Sequence, residues 1–433
     1  MRPFTITDPL PTGTTVLEAS AGTGKTYAIA ALATRFVAEG RAAIGDLLLV
    51  TFSRAATSEL RSRVRERLES SAAALTRSLA GGPPPTDAVD RLLVDAEPEV
   101  VALRARRLAA AVDRFDQATV MTTHEFCHGM LRGLGVLAAQ EPQSTLVEDL
   151  APLADETAAD VYLRRYAFDQ RVPPFPWLRE RDGDPGGRTI ARDALAVDAL
   201  LGPPDAHGAV AERVSFARAV RAEVEVRKRR LRLFSFDDQL TRLRDALADP
   251  VTGERARDRL ARRFPVVLID EFQDTDPVQW QVIRAAFGHG SDTLVLIGDP
   301  KQAIYAFRFA DVHTYTAAAR SASSRTTLTR NYRADAAVVA AVGALFAGVL
   351  LGEDIDVPPI EAHHTAPRLE AEPGSPWAAG VQVRVVESEE PLPPWLAARH
   401  IERDLVGVAT TLLGAGAPLA RPGGEPLRAS TRS

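Results

Sequence analysis

The sequence has one cysteine, Cys127, only three lysines against 49 arginines, and aromatic residues at 6% of its 433 positions. A single thiol excludes an internal disulfide and fits a reducing compartment. No stretch approaches the roughly 20 uninterrupted apolar residues of a membrane span. The opening MRPFTITDPLPTG lacks a charged-then-apolar leader, so a cytoplasmic location is expected. The net charge of −5 does not advertise a nucleic-acid binder, although a local basic groove can hide in such a sum. No internal repeat with a period of about 20 to 50 residues is visible.

What is present begins with 45% hydrophobic residues, ample for packed cores, in a length that accommodates about two to four domains. The stretch that organises the rest is Val16 to Thr26, VLEASAGTGKT. It reads as a strand feeding a phosphate-binding loop (Ala19, Ser20, Ala21, Gly22, Thr23, Gly24, Lys25, Thr26) and then a helix from Tyr27 to Glu39. The loop matches G-x-x-x-x-G-K-[ST] except at Ala19, where the strict pattern has glycine. Small residues let backbone N–H groups turn toward phosphates, Lys25 supplies a compact charge, and the Thr26 hydroxyl can ligate Mg²⁺. The scarcity of lysine sharpens this reading: arginine fills basic positions wherever it serves, and its broad guanidinium cannot enter a phosphate cradle.

Strand and helix signals alternate along the chain. Asp46 to Ser53 reads as a strand buried on both faces, Ala55 to Leu68 as an amphipathic helix, Val89 to Phe115 as further helix and Ala118 to Thr122 as a strand. From about 131 to 233 the pattern becomes Ala- and Arg-rich helix. Strands return at Pro265 to Asp270, Thr293 to Asp299 and Thr326 to Arg330, each expected to lead into a helix. Val381 to Val386 is a further expected strand and Trp395 to Leu413 an expected helix. The expected organisation is 1–130 and 234–335 as two parts of one α/β unit, 131–233 as a helical insertion, and 336–433 as the start of another unit. Such alternation implies a mostly parallel sheet with ligands at the carboxyl ends of its strands.

Two acidic sites fall at those ends. Asp270 and Glu271 follow the apolar run VVLI, where one carboxylate can hold a metal and the other can orient or deprotonate water; Asp270 is assigned to the metal and Glu271 to the base. Gly298 to Gln302 ends another strand, and the Gln302 amide can touch a terminal phosphate and report nucleotide state. Tyr305, Phe307, Arg308 and Phe309 follow, as ordinary core or as a stacking platform for bases. His124 to His128 spells H-E-x-x-H, a zinc signature, but spacing nominates no third ligand.

These residues carry a resemblance to superfamily 1 DNA helicases of the UvrD/Rep type, RecB-like members above all. EASAGTGKT, VTFSRAATSELRSRV, TTHEFCHGML, FSFDDQL, IDEFQDTDPVQW, IGDPKQAIYAFR and LTRNYR resemble the family's motifs in order across residues 16 to 333. The resemblance implies a RecA-like P-loop fold, Mg-ATP as cofactor, and hydrolysis driven by single-stranded DNA. Position by position it implies phosphate and Mg²⁺ binding at Lys25 and Thr26, coupling of nucleotide state to DNA at Gln302, and a γ-phosphate contact at Arg333. Phe52, His124, Phe126 and Phe307 would line the DNA track, with Tyr305 beside them. Arg54 and the run Arg221 to Arg232 could neutralise phosphates, although such a run is also readable as a solvated helix face.

There are two departures from the family pattern. Phe309 stands where the family shows glycine, and no glutamine precedes Lys25 to read adenine. The implied partners are single-stranded DNA, duplex ends and RecC- and RecD-like subunits, in double-strand-break repair and recombination. The family pattern continues with a complete second motor domain, so a chain stopping at Ser433 is expected to carry only part of it. Two alternatives stay open: a catalytically weak ATP- and DNA-binding module, and another UvrD-like enzyme of AddA or mismatch-repair type.

Overall fold

The computed structural model describes residues 1–135, 145–147, 149–168, 175–177, 186–195, 201–203, 205–288, 293–304, 311–352, 355–368, 381–388, 390–415, 418–419 and 427–428. In chain order the first elements are β1 (Arg2–Pro3), β2 (Gly13–Glu18), α1 (Lys25–Ala38), β3 (Leu47–Thr51) and α2 (Arg54–Leu79). Then come α3 (Ala88–Val94), α4 (Pro98–Asp113), β4 (Thr119–Thr122) and α5 (Thr123–Leu134). The helical segment holds β5 (Thr145–Leu146), α6 (Ala151–Tyr162), α7 (Gly187–Ala194), α8 (Gly208–Leu231) and β6 (Leu233–Phe234). The chain returns through α9 (Phe236–Ala248), α10 (Gly253–Arg263), β7 (Val266–Ile269), α11 (Pro277–Phe287), β8 (Thr293–Gly298), α12 (Val312–Ser321) and β9 (Ser324–Thr327). Beyond these lie β10 (Arg330–Asp335), α13 (Ala336–Leu345), β11 (Glu361–His364) and α14 (Pro394–Ala415).

Seven strands form one parallel sheet in the order β1-β9-β2-β8-β7-β3-β4. Its central strands β3, β7 and β8 are apolar on both faces because both faces are covered there. Alternation assigns Leu47 and Leu49 to the layer of α1, α2 and α4, and Leu48 and Val50 to the layer of α5 and α9 to α12. All seven strands point the same way, so the loops after β2, β3, β4, β7 and β8 emerge along a single edge. The two loops that matter most leave from nearby strands, since β8 lies between β2 and β7.

Local chemistry explains the element starts. Ser53 caps α2 by accepting from Ala56 N, and Thr122 and Glu125 form a reciprocal capping box on α5. The long helical stretch expected over Val89 to Phe115 is two helices, with Pro98 starting the second at a position where its missing N–H costs nothing.

The helices α6, α7 and α8 pack around a separate apolar cluster that includes Phe175, Phe216, Val220 and Val224. Two expectations are corrected. Residues 382–388 form no strand; Val383 and Val385 are exposed, and among the described residues no strand pairs with them. The segment expected as one strand over Thr326 to Arg330 instead divides, with β9 in the main sheet and β10 pairing β11 in parallel. The final helix is present and slightly longer than expected.

Candidate active site

The loop after β2 is held by its own backbone and by β8. Ala19 N donates to Gly298 O at 3.0 Å, and both Thr23 N and Thr23 Oγ1 donate to Ser20 O. Ala19 and Thr23 are buried supports, whereas Ser20, Ala21, Gly22, Gly24, Lys25 and Thr26 line a cleft of about 320 Å³. Gly22 and Gly24 have φ of +79° and +88°, which side chains rarely tolerate. A Cβ on Gly22 would also lie 2.8 Å from Arg333 Cβ. Gly24 precedes α1 without any side-chain cap, so first-turn N–H groups remain available to an anion.

Across the cleft stands the acidic pair. Asp270 N donates to Val50 O, fixing the turn to β3, and Asp270 Oδ1 accepts from Glu271 N at 2.9 Å. Glu271 has φ +52°, a sparsely populated conformation for a residue with a side chain. Its Oε2 accepts from Lys25 Nζ at 2.5 Å and from Gln273 Nε2 at 2.7 Å. Burial, then the Glu271 charge, pushes Asp270 up to about 6, and the same two causes push Asp274 up to about 6. Three carboxyl groups thus crowd around one ammonium. A magnesium ion bound by a carboxylate, a hydroxyl, waters and phosphates suits this donor set, and Asp270 and Thr26 could hold it.

From Glu271 the hydrogen bonds run onward. Gln273 Oε1 accepts from Asp299 N at 3.0 Å, and Gln302 Nε2 donates to Asp299 Oδ2 at 2.8 Å. Gln302 itself lines the cleft, with Tyr27, Tyr332 and Arg333. Asn331 Nδ2 donates to Ala21 O and Tyr332 N to Gly22 O, which seats β10 on the loop and brings Arg333 to it. Of the residues expected at a nucleotide site, Ser20, Ala21, Gly22, Gly24, Lys25, Thr26, Glu271, Gln302 and Arg333 line one cleft, and Asp270 stands beside it, bonded to Glu271 N. Sequence reasoning missed Gln273, Asp299 and Asn331 as its connectors. The signal was there for the first two, as amide and acid beside the expected residues, but no spacing shows that they meet.

The family description "UvrD/REP helicase N-terminal domain" matches residues 5–323. The chain belongs to the UvrD/REP helicase family. It is 43% identical over 431 residues to the RecBCD enzyme subunit RecB of Mycolicibacterium smegmatis, a match covering 96% of this chain and 38% of that one. The corresponding protein of Mycobacterium tuberculosis is 40% identical over 435 residues, covering 97% and 38%. That of Escherichia coli is 30% identical over 452 residues, covering 77% and 38%. The chain thus spans 38% of the length of these relatives.

Within the UvrD/REP frame, the residues expected to meet DNA divide. Phe52 is half-buried at the carboxyl end of β3, and Arg54 is exposed at the start of α2. His124, on the first turn of α5, packs edge-on to Phe236 at 5.2 Å, and burial lowers its pKa. These three share the carboxyl edge of the sheet. Phe126 does not join them: it is 1% exposed and packs on Phe287, because α5 turns that position into the sheet's core. Tyr305 and Phe307 lie outside the described residues.

The Arg221 to Arg232 run is largely spoken for. Arg227 meets Glu156, Asp160 and Glu223, buried Lys228 meets Glu225 and Asp238, and Arg221 donates to Ala194 O. The H-E-x-x-H stretch is not arranged for zinc. Cys127 is fully buried with its thiol pushed up by burial, and His128 Nδ1 lies 3.2 Å from Gln239 Nε2. Among the described residues no three His, Cys, Asp or Glu side chains are grouped to hold a metal.

Proposed function

We propose that this chain is the ATP-binding motor portion of a RecB-type DNA helicase, hydrolysing Mg-ATP in response to single-stranded DNA during double-strand-break repair. The observation that carries the reading is the unbroken bonded path Lys25–Glu271–Gln273–Asp299–Gln302, which joins the phosphate loop to the segment that leads toward the expected stacking residues. A nucleotide-dependent change at one end has a physical route to the other.

Lys25 and Glu271 hold one another. A triphosphate competes for the ammonium and releases the carboxylate, which then orients and deprotonates the attacking water. Thr26 and Asp270 would hold a magnesium ion, which would neutralise charge on the phosphates. Gln302 senses the terminal phosphate through its amide, and Arg333 places a guanidinium against the charge that develops there. Phe52, Arg54 and His124 offer one aromatic ring, one cation and one half-buried imidazole to a strand crossing the same edge. Single-stranded DNA and duplex ends are the substrates of this reading, RecC- and RecD-like subunits its partners, and the cytoplasm its place. Among the described residues no helix is long and apolar enough to cross a membrane.

The deciding experiment is steady-state ATPase of the purified chain with and without single-stranded DNA, beside Lys25→Ala. Stimulated turnover that the substitution abolishes supports the motor reading. Mg-ATP binding that Lys25→Ala removes, without any turnover in the parent chain, supports the binding-module alternative instead.

A further inference from the structure

Beneath the phosphate loop lies a charged cluster of which only Asp299 enters the bonded path above. Lys301 Nζ sits 2.7 Å from Asp299 Oδ1 and 3.1 Å from Glu18 Oε1. The two carboxylate side chains are each 3% exposed and the ammonium side chain 13%. Glu18 is the last residue of β2, in register with Gly298 on β8, and the phosphate loop begins at the next residue. Asp299 follows Gly298 directly. A single lysine therefore ties the strand end that launches the phosphate loop to the strand end that launches Gln302.

We propose that Glu18 and Lys301 are positioning residues: with Asp299 they form a buried clasp that holds Gln302 in register with the phosphate loop. Stability is a poor reason for such a cluster, because an ion pair taken out of water seldom outdoes an apolar packing of the same volume. Geometry is a better one. Asp299 is held at every polar atom that faces its neighbours, by Lys301 at Oδ1, by Gln302 at Oδ2 and by Gln273 at its backbone N–H. Lys301 N also donates to Oδ1, so the turn that presents Gln302 is wound around this one carboxylate.

Close approach is part of the design. A Cβ on Gly298 would lie 2.7 Å from Gln273 Oε1, so only glycine lets the Gln273 amide reach the hub. The choice of lysine fits too. In a chain that uses arginine 49 times, Lys301 is one of three exceptions, and a compact ammonium fits between two buried carboxylates where a planar guanidinium would spread them.

The functional half of this inference rests on the nucleotide reading above, whereas the clasp itself stands on the contacts. The test uses the full chain carrying Glu18→Gln, which keeps the side-chain shape and the Lys301–Asp299 pair. Equilibrium binding of Mg-ADP and of the magnesium complex of a non-hydrolysable ATP analogue is measured beside amide exchange of residues 299–304. The expected result is ADP affinity within about twofold of the parent chain, an analogue-to-ADP preference reduced about tenfold, and exchange at 299–304 accelerated about tenfold with α1 unchanged. Lys301→Arg, which keeps the charge and loses the fit, should fall between the two.

Unchanged exchange at 299–304 in Glu18→Gln would overturn the clasp. So would a loss shared equally by both nucleotides with exchange rising throughout the sheet, which is what a merely structural role produces. If the parent chain shows no preference for the analogue, the nucleotide-sensing reading fails, and the exchange data still decide the clasp.

Discussion

The carboxyl edge of the sheet and the α6–α8 bundle handle charge in opposite ways. At the sheet edge Glu18 and Asp299 are buried and Lys301 and Asp270 half-buried, all satisfied by one another or by the turn backbone. In the bundle the interior is aromatic, with Tyr162, Tyr166, Phe175 and Phe216 in ring contact, and Arg188 and Arg192 fork around Asp155 at the rim, while Lys228 is buried near the end of α8. The bundle resembles ordinary stabilising architecture. The sheet edge carries buried, paired carboxylates that a search for stability alone would not retain.

The largest break in that comparison is expected from Glu271→Gln. Removing the proposed base should lower DNA-stimulated turnover about 10²- to 10⁴-fold while Mg-ATP binding persists, as read by single-turnover hydrolysis and equilibrium binding. Turnover within threefold of the parent chain, on the order of experimental scatter in such assays, would remove Glu271 from the mechanism.

Next in size is truncation of the two interiors. Phe216→Ala should cost about 3–5 kcal/mol in the bundle, and Phe126→Ala a similar amount in the sheet's core. Thermal melts followed by amide exchange should place the first loss in α6–α8 and the second in the layer of α5 and α9. Phe126→Ala that weakened DNA binding without lowering stability would restore that ring to the DNA track.

The smallest effect belongs to the rim. Paired first with Arg192 and then Arg188, Asp155 is held down to about 2. Its folded pKa lies below the unfolded value, so its contribution is present above about pH 4 and is lost as pH falls toward 2. Asp155→Asn should therefore lower the melting temperature slightly at pH 7, by the equivalent of about 0.2–1 kcal/mol, and the gap should close in acid. A gap independent of pH would mean that packing, not charge, is what Asp155 supplies.

Much of this is legible in the sequence alone. The apolar runs of β3, β7 and β8 announce strands buried on both faces, and the small residues from Ala19 to Gly24 announce a phosphate loop, because each depends on composition within a few neighbours. Lys25, Glu271, Gln302 and Arg333 were each nameable from local chemistry or family likeness. Phe126 was misplaced because family likeness sets it with His124 on one track, whereas on α5 the two positions point to different sides. The run VQVRVV was misread because alternation signals a strand only where another strand pairs with it.

The sequence by itself determined most of the kinds of element, the loop chemistry and the residues that line the cleft, since these follow from side-chain size, backbone freedom and charge close along the chain. Only the tertiary structure decided how the members are wired. Gln273 and Asp299 lie 26 residues apart and Glu18 and Lys301 283 apart, and their contacts exist because the parallel strand order β2-β8-β7 brings three strand ends together. Hydrogen bonds and ion pairs act over a few ångströms, so sequence separation carries no information about them until the sheet has set its register.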